Sequence, residues 1–235
     1  MSTTASRKWI ALGPAIFLPC IGSVIYFVLF SEYYFARVVY AAVKLFTVVW
    51  PVVSICFMLR GHLRRPRAPT REYGRAVVLG VLSGTAIAAL MFGLMGTPLR
   101  EVVVSASGNV KTKAAELGIL QYYSVYALLI SFINSLVEEY YWRWFLYGSL
   151  RGVMRTHWAH VLAGTAFASH HTVITTYYFG IGWGLVFGAC VGVGGIIWSM
   201  MYERHNTILG SWISHLIVDL ALFSVGHMLL FGTYF

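Results

Sequence analysis

Residues 136–147 read LVEEYYWRWFLY, a stretch that places two adjacent glutamates and an arginine inside an otherwise aromatic and aliphatic run. The whole chain has 235 residues, of which 59% are hydrophobic and only 11% are charged. A soluble domain of this size cannot bury so much apolar surface in one core. We therefore expect lipid to be the main solvent of the chain, with Glu138, Glu139 and Arg143 inside a membrane span.

The apolar runs predict an all-α fold. A helix of about 20 apolar residues is long enough to cross a hydrocarbon core roughly 30 Å thick. This criterion predicts a polytopic transmembrane helical bundle of about seven spans, forming a single membrane domain over residues 1–235. We expect three N-terminal spans in residues 1–97 and a core of four spans in residues 119–231. The predicted spans are approximately 9–30, 35–59, 74–97, 119–150, 158–179, 181–202 and 207–231.

The net charge of +9 comes from basic residues that cluster in short segments between the predicted spans. With the N-terminus in the cytoplasm, 11 of the 17 Lys and Arg residues lie on the cytoplasmic side. This bias follows the positive-inside rule, and it predicts the N-terminus inside and the C-terminus outside. Anionic lipid, rather than nucleic acid, is the expected partner of the basic stretch 60–75. The first run is too long for a typical secretory signal, so we expect it to remain as an anchored span.

Few ionisable side chains fall within the predicted spans, and such residues usually face a protein interior or a wet cavity. Counted from the nearest basic segment at about 1.5 Å per helical residue, Glu138, His171 and His215 all lie roughly 15 to 21 Å deep. This shared level predicts one cavity among the C-terminal helices. For Lys44 the sequence indicates either a cavity contact or a lipid headgroup contact. The polar residues within or near the spans are Lys44, Asn134, Glu138, Glu139, Arg143, His170, His171, His215 and Asp219.

Helical spacing separates the two adjacent glutamates. Glu139 and Arg143 are four residues apart, so they can form an ion pair on one helix face, and we expect this pair to be structural. Glu138 is turned by about 100° from Glu139 and has Trp142 at i+4. We therefore expect Glu138 to lack an intrahelical cationic partner at i+4, and it suits a general base only if a neighbour such as histidine keeps part of it ionised.

The histidines are candidates for this neighbour. His170 and His171 are adjacent and turned about 100° from each other, so His170 is the competing candidate for the role of His171, and we expect His170 to be structural or to line the substrate site. Asn134 is a further candidate for lining the substrate site. His215 and Asp219 repeat the i, i+4 arrangement, so the carboxylate can orient the imidazole.

Three motifs follow one another on successive predicted helices of the core, and together they resemble a known family. They resemble the CPBP family of CAAX prenyl endopeptidases and bacteriocin-processing enzymes, also called ABI proteins. The first three spans resemble this family only in being apolar. The resemblance implies a metal-independent, glutamate-dependent intramembrane endopeptidase that acts on a lipidated or membrane-anchored peptide or protein terminus. The motifs are Glu138-Glu139-x-x-x-Arg143, Phe167-x-x-x-His171 and His215-x-x-x-Asp219.

The resemblance also implies a role for each residue that matches a motif. Glu138 and His171 would activate a water for attack on the peptide carbonyl, and His215 and Asp219 would stabilise the oxyanion. The family has Asn or Asp at the last position, and an ionised Asp219 would repel an oxyanion. We therefore expect Asp219 to orient a protonated His215 or to be protonated itself. Asp219 and the short loops favour a prokaryotic member in the cytoplasmic (inner) membrane.

Two other classes of function remain open. The first is a zinc-dependent metalloprotease with Glu138, His171 and His215 as ligands, since two imidazoles and a carboxylate form a known catalytic set. The second is a non-enzymatic membrane protein, either a transporter that relays protons or an immunity or scaffold factor. Three substrate types fit an endopeptidase of this kind: a prenylated CAAX-type tail, a bacteriocin leader, or the C-terminal sorting helix of a bacterial surface protein.

Overall fold

The computed structural model describes the backbone of residues 3–59 and 68–233 and the side chains from residue 7 onward. Within these ranges the chain is helical and contains no strand. Six helical segments are long and apolar enough to cross a membrane, so this is an integral membrane protein of the predicted all-α class. Residues 60–67 of the basic stretch lie outside the described residues. The α-helices are α1 (Thr3–Val24), α2 (Tyr34–Phe57), α3 (Thr70–Leu94), α4 (Leu99–Ser105), α5 (Ser107–Glu116), α6 (Tyr123–Glu138), α7 (Gly148–Leu150), α8 (Thr156–His205) and α9 (Leu209–Phe231).

Helix α8 is a hairpin of two helical arms, residues 156–179 and 181–205. Gly180 separates the arms with φ +77° and ψ 169°, a conformation open to glycine because it has no Cβ. The hydroxyl of Thr175 donates to the carbonyl oxygen of Gly184 at 2.9 Å, which ties the arms side by side. The 50-residue segment therefore supplies two spans, and the predicted total of about seven is confirmed.

The helices group into two compact units. Unit 1 consists of Met1–Ala68 and Val137–Ile208, and unit 2 of Pro69–Leu136 and Leu209–Phe235. Unit 1 therefore contains α1, α2, α7 and α8, and unit 2 contains α3, α4, α5, most of α6, and α9. The division of a single domain into residues 1–97 and 119–231 stays a prediction.

Unit 1 is built around α1. The indole Nε1 of Trp50 on α2 donates to the carbonyl oxygen of Ala11 at 2.9 Å. The hydroxyl of Tyr141 donates to the carbonyl oxygen of Ala15, also at 2.9 Å. Buried polar groups need such partners, and each of these bonds fixes a neighbouring helix against α1.

The chain after α6 continues as a π-helical segment, Glu139–Tyr147, which contains most of the stretch LVEEYYWRWFLY. A π-helix bonds each residue to the fifth along instead of the fourth, is rare, and is often found at functional sites. Most side chains of the segment are buried. The wider turn makes the rotation per residue smaller than the rotation of about 100° in an α-helix, although residues four apart still lie on nearly the same face.

Unit 2 contains a close pair of helices, α3 and α9. A Cβ atom on Gly80 would lie 2.5 Å from the carbonyl oxygen of Gly210, so the two backbones touch where both residues lack a side chain. One turn further along, the hydroxyl of Ser83 donates to that of Ser214 at 3.0 Å. Small residues that allow close approach, together with interhelical hydrogen bonds, are the usual basis of helix packing in membranes.

Candidate functional site

The adjacent glutamates diverge at the junction of α6 and the π-helical segment. The carboxylate Oε1 of Glu139 lies 2.9 Å from Nη1 of Arg143, and the two side chains are 0% and 1% exposed. The Arg143 guanidinium also lies over the rings of Phe167 and Trp198, 4.4 and 4.9 Å from their centroids. The predicted intrahelical ion pair is therefore formed, and it is enclosed within unit 1.

Glu138 faces a different set of groups. Its Oε1 lies 3.5 Å from Nζ of Lys44 on α2 and 3.9 Å from Nε2 of His170 on α8. Glu138 is therefore not unpaired, although it has no cation at i+4 on its own helix, as the spacing predicted. The i+4 spacing identifies partners only on the same helix, whereas this cation comes from another helix.

Both adjacent histidines lie close to Glu138. Ligand-type atoms of Glu138, His170 and His171 all lie within 4.8 Å of one another. His170 is buried and stacks on Trp142, with ring centroids 5.3 Å apart and an angle of 8° between the planes. Proximity to the carboxylate therefore does not decide which of the two histidines takes the role for which they were expected to compete.

The orientation of His171 follows from its hydrogen bond to the backbone. Its Nδ1 lies 3.0 Å from the carbonyl oxygen of Phe167, one turn earlier on the same helix. A carbonyl oxygen only accepts, so Nδ1 carries the proton, and in the neutral ring Nε2 is then the basic nitrogen. This tautomer allows Nε2 of His171 to accept a proton or a hydrogen bond.

A small cavity lies beside Glu138 in unit 1. Its volume is about 20 Å³, which is room for about one water molecule. Helices α1 and α2 contribute more than half of its lining residues. The sequence predicted a cavity among the C-terminal helices shared by Glu138, His171 and His215, and of these three only Glu138 lines this one. The lining residues are Pro19, Ser23, Tyr40, Val43, Lys44, Thr47, Val137, Glu138, Tyr141, Trp142 and His170.

The third predicted motif lies on α9 in unit 2. Nε2 of His215 is 3.5 Å from Oδ1 of Asp219, and the two side chains are 4% and 13% exposed. The predicted i, i+4 pair is therefore formed. Asn134, the other candidate in this unit, lies half-buried on α6.

One group of side chains in the described residues has the composition of a metal site. Glu138, His170 and His171 offer one carboxylate oxygen and two imidazole nitrogens, a donor set that zinc accepts. The zinc hypothesis drawn from the sequence used Glu138, His171 and His215. In the structure, His170 is the second imidazole of the group.

The fold and this cluster define a class: an integral membrane protein of the polytopic helical type with a carboxylate and two imidazoles gathered inside its spans. Residues 120–221 match the family model described as Type II CAAX prenyl endopeptidase Rce1-like. The resemblance that the three motifs predicted is confirmed over this region. The match covers less than half of the chain, and it supports a CAAX-type intramembrane endopeptidase in general. Comparison with curated proteins and with solved structures gave no match.

The matched region includes only part of the site. The region contains all three motifs and both histidines of the cluster. It does not contain α1 and α2, which supply Lys44 and more than half of the cavity lining. The sequence had singled out Lys44 only because an ionisable residue inside a span is costly.

Proposed function

We propose that this protein is a metal-independent intramembrane endopeptidase in which Glu138 is the general base. The observation that carries the proposal is the position of the Glu138 carboxylate, which lies beside two imidazoles and a cavity with room for about one water. Hydrolysis within a bilayer needs a base, a held water and a hydrogen-bond donor for developing negative charge.

The proposed reaction begins with the water molecule. Glu138, assisted by His171, takes a proton from the water as its oxygen attacks the carbonyl carbon of the scissile peptide bond. The carbonyl oxygen becomes an oxyanion, and the tetrahedral intermediate then collapses with cleavage of the C–N bond. The proton held by Glu138 passes to the leaving nitrogen, so the products are a carboxyl terminus and an amine.

We assign the oxyanion role to the third motif. Its two residues match the family pattern, and the distance of 3.5 Å between His215 and Asp219 suits a carboxylate that orients an imidazole. A protonated His215 can donate to an oxyanion, whereas an ionised Asp219 cannot. Asp219 therefore acts through His215.

The proposed substrate is a lipidated or membrane-anchored peptide or protein terminus. The proposed location is the cytoplasmic membrane of a prokaryote, with the N-terminus inside and the C-terminus outside. The distribution of Lys and Arg residues supports this orientation. A reporter enzyme that is active only outside the cytoplasm should be active when it is fused to the C-terminus. An inactive fusion, together with activity of a reporter that works only in the cytoplasm, would contradict the proposed orientation.

A cleavage panel tests the activity and the substrate class together. The purified protein is incubated in lipid vesicles with three peptides: a prenylated CAAX-type tail, a bacteriocin leader and a sorting helix. Product masses identify the bond that is cut. We expect one peptide to be cleaved by the wild type and not by Glu138→Gln. Cleavage of none of the peptides, or equal cleavage by both proteins, would contradict the proposal.

A zinc peptidase is the second candidate, because Glu138, His170 and His171 form a suitable donor group. In that mechanism the metal would lower the pKa of a bound water, and the three residues would be its ligands. Full activity after dialysis against a strong chelator, with no zinc detected by mass spectrometry, is the result expected for the metal-independent mechanism. Loss of activity that returns on addition of zinc would favour the metalloprotease.

A further inference from the structure

Lys44 lies in the middle of a membrane span and belongs to none of the three motifs. It is about 15 Å from the start of α2 at 1.5 Å per residue. A charged residue at this depth is costly and usually marks function. Its side chain is 42% exposed, yet its Nζ lies 3.5 Å from Oε1 of Glu138, whose side chain is 7% exposed. Lys44 thus extends from the surface of the unit into the cavity beside the proposed base.

We propose that Lys44 is a positioning residue that holds the Glu138 carboxylate in the orientation needed for general-base catalysis. This inference rests on the proposed function and adds to it a residue from outside the matched region. Lys44 acts through Glu138 and does not touch the reacting atoms. It therefore affects the rate of the chemical step more than the binding of substrate.

The charges around Glu138 support this role. The closest acidic partner of Arg143 is Glu139, at 2.9 Å, and its electrostatic attraction to Glu138 is secondary to that pair. His170 approaches the same carboxylate oxygen as Lys44, at 3.9 Å, and its ring is fixed by stacking on Trp142. Oε1 is thus approached from two helices, α2 and α8, and the closer and permanently charged group is Lys44. Fixing one oxygen of a carboxylate sets the direction in which the other points.

The surroundings of Lys44 hold its own side chain in place. Its Nζ lies 5.9 Å from the ring centroid of Tyr40, one turn earlier on α2. Tyr40 stacks in turn on Tyr26, with centroids 4.8 Å apart. A cation beside an aromatic face and a carboxylate interacts strongly where water is scarce. A lysine that served only a lipid headgroup would instead extend along the helix to the interface.

Steady-state kinetics of Lys44 variants test the proposal. Lys44→Met keeps most of the side-chain length and removes the charge, and we expect kcat to fall about 10- to 100-fold with KM nearly unchanged. Lys44→Arg keeps the charge and should recover a large part of kcat. Lys111→Met removes an exposed lysine on α5 and serves as the matched control, with kcat unchanged. A wild-type kcat for Lys44→Met overturns the proposal. So does an equal loss in Lys44→Met and Lys44→Arg, which would indicate a packing role.

A second measurement keeps this inference distinct from the proposed function. Thermal unfolding is recorded for wild type, Lys44→Met, Glu138→Gln and the double variant. If Lys44 pairs with Glu138, Lys44→Met lowers Tm in the wild type and not in the Glu138→Gln background. Equal lowering in both backgrounds overturns the pairing even if no peptide is cleaved. If the effect of Lys44→Met on Tm depends on Glu138 but no peptide is cleaved in a Glu138-dependent way, the proposed function is contradicted and the pairing of Lys44 with Glu138 is supported.

Discussion

Replacement of Arg143 by methionine should destabilise the protein strongly. The Glu139 side chain is 0% exposed, so the variant leaves a buried carboxylate without its cation. Breaking a buried ion pair in this way costs about 3–5 kcal/mol of the free energy of unfolding. The variant also loses the guanidinium contacts with Phe167 and Trp198, which favours the upper end of that range. At about 2–4 °C per kcal/mol for a chain of this length, the expected fall in Tm is about 6–20 °C.

The assay for this prediction is thermal unfolding in one detergent, followed by tryptophan fluorescence, with the monodisperse fraction measured by size exclusion. Arg75→Met is the matched control, because Arg75 pairs with Glu72 at 2.7 Å on an exposed face and its side chain is 52% exposed. A surface pair contributes about 0–1 kcal/mol, so the control should lose a few degrees at most. The double variant Glu139→Gln/Arg143→Met should recover much of the loss. A Tm for Arg143→Met equal to that of the control would refute the reasoning.

Three further predictions concern the two histidines, the hairpin and the third motif. His171→Gln should lower the cleavage rate about 10²- to 10⁴-fold, whereas His170→Gln should mainly lower Tm; the reverse pattern would exchange their roles. Gly188→Leu should reduce the yield of monodisperse protein, because its side chain would enter the opposite arm of α8, whereas Gly182→Leu meets open space and should be tolerated. Equal yields of these two variants would contradict the packing of the hairpin. Asp219→Leu should lower the cleavage rate about 10²- to 10³-fold, whereas Asp219→Asn retains an oxygen that can orient the imidazole and should retain most of the rate. Equal rates for the two variants at 219 would contradict the orienting role.

The features that the sequence predicted correctly are local along the chain. The spans follow from runs of apolar residues, and the break of the long helix at Gly180 follows from the gap between two such runs. The pairs Glu139–Arg143 and His215–Asp219 follow from the i, i+4 spacing, which places side chains on one helix face.

The features that the sequence did not predict depend on contacts between helices. Lys44 and Glu138 lie on helices far apart in the chain, and no spacing rule indicates that α2 faces the end of α6. The π-helical turn after Glu138 was not predicted either, because the spacing argument assumed the rotation of about 100° per residue of an α-helix. The sequence also did not predict that His170 and His171 both lie near Glu138, because this depends on how α8 packs against the end of α6.

The rate at which Glu138→Gln cleaves the peptide that the wild type cuts tests the central claim most directly. The measurement uses equal amounts of monodisperse protein in the same vesicles, with product identified by mass. General-base catalysis by Glu138 predicts a fall of about 10²- to 10⁴-fold, because glutamine cannot take the proton from water. Cleavage by Glu138→Gln at a near-wild-type rate would contradict this role.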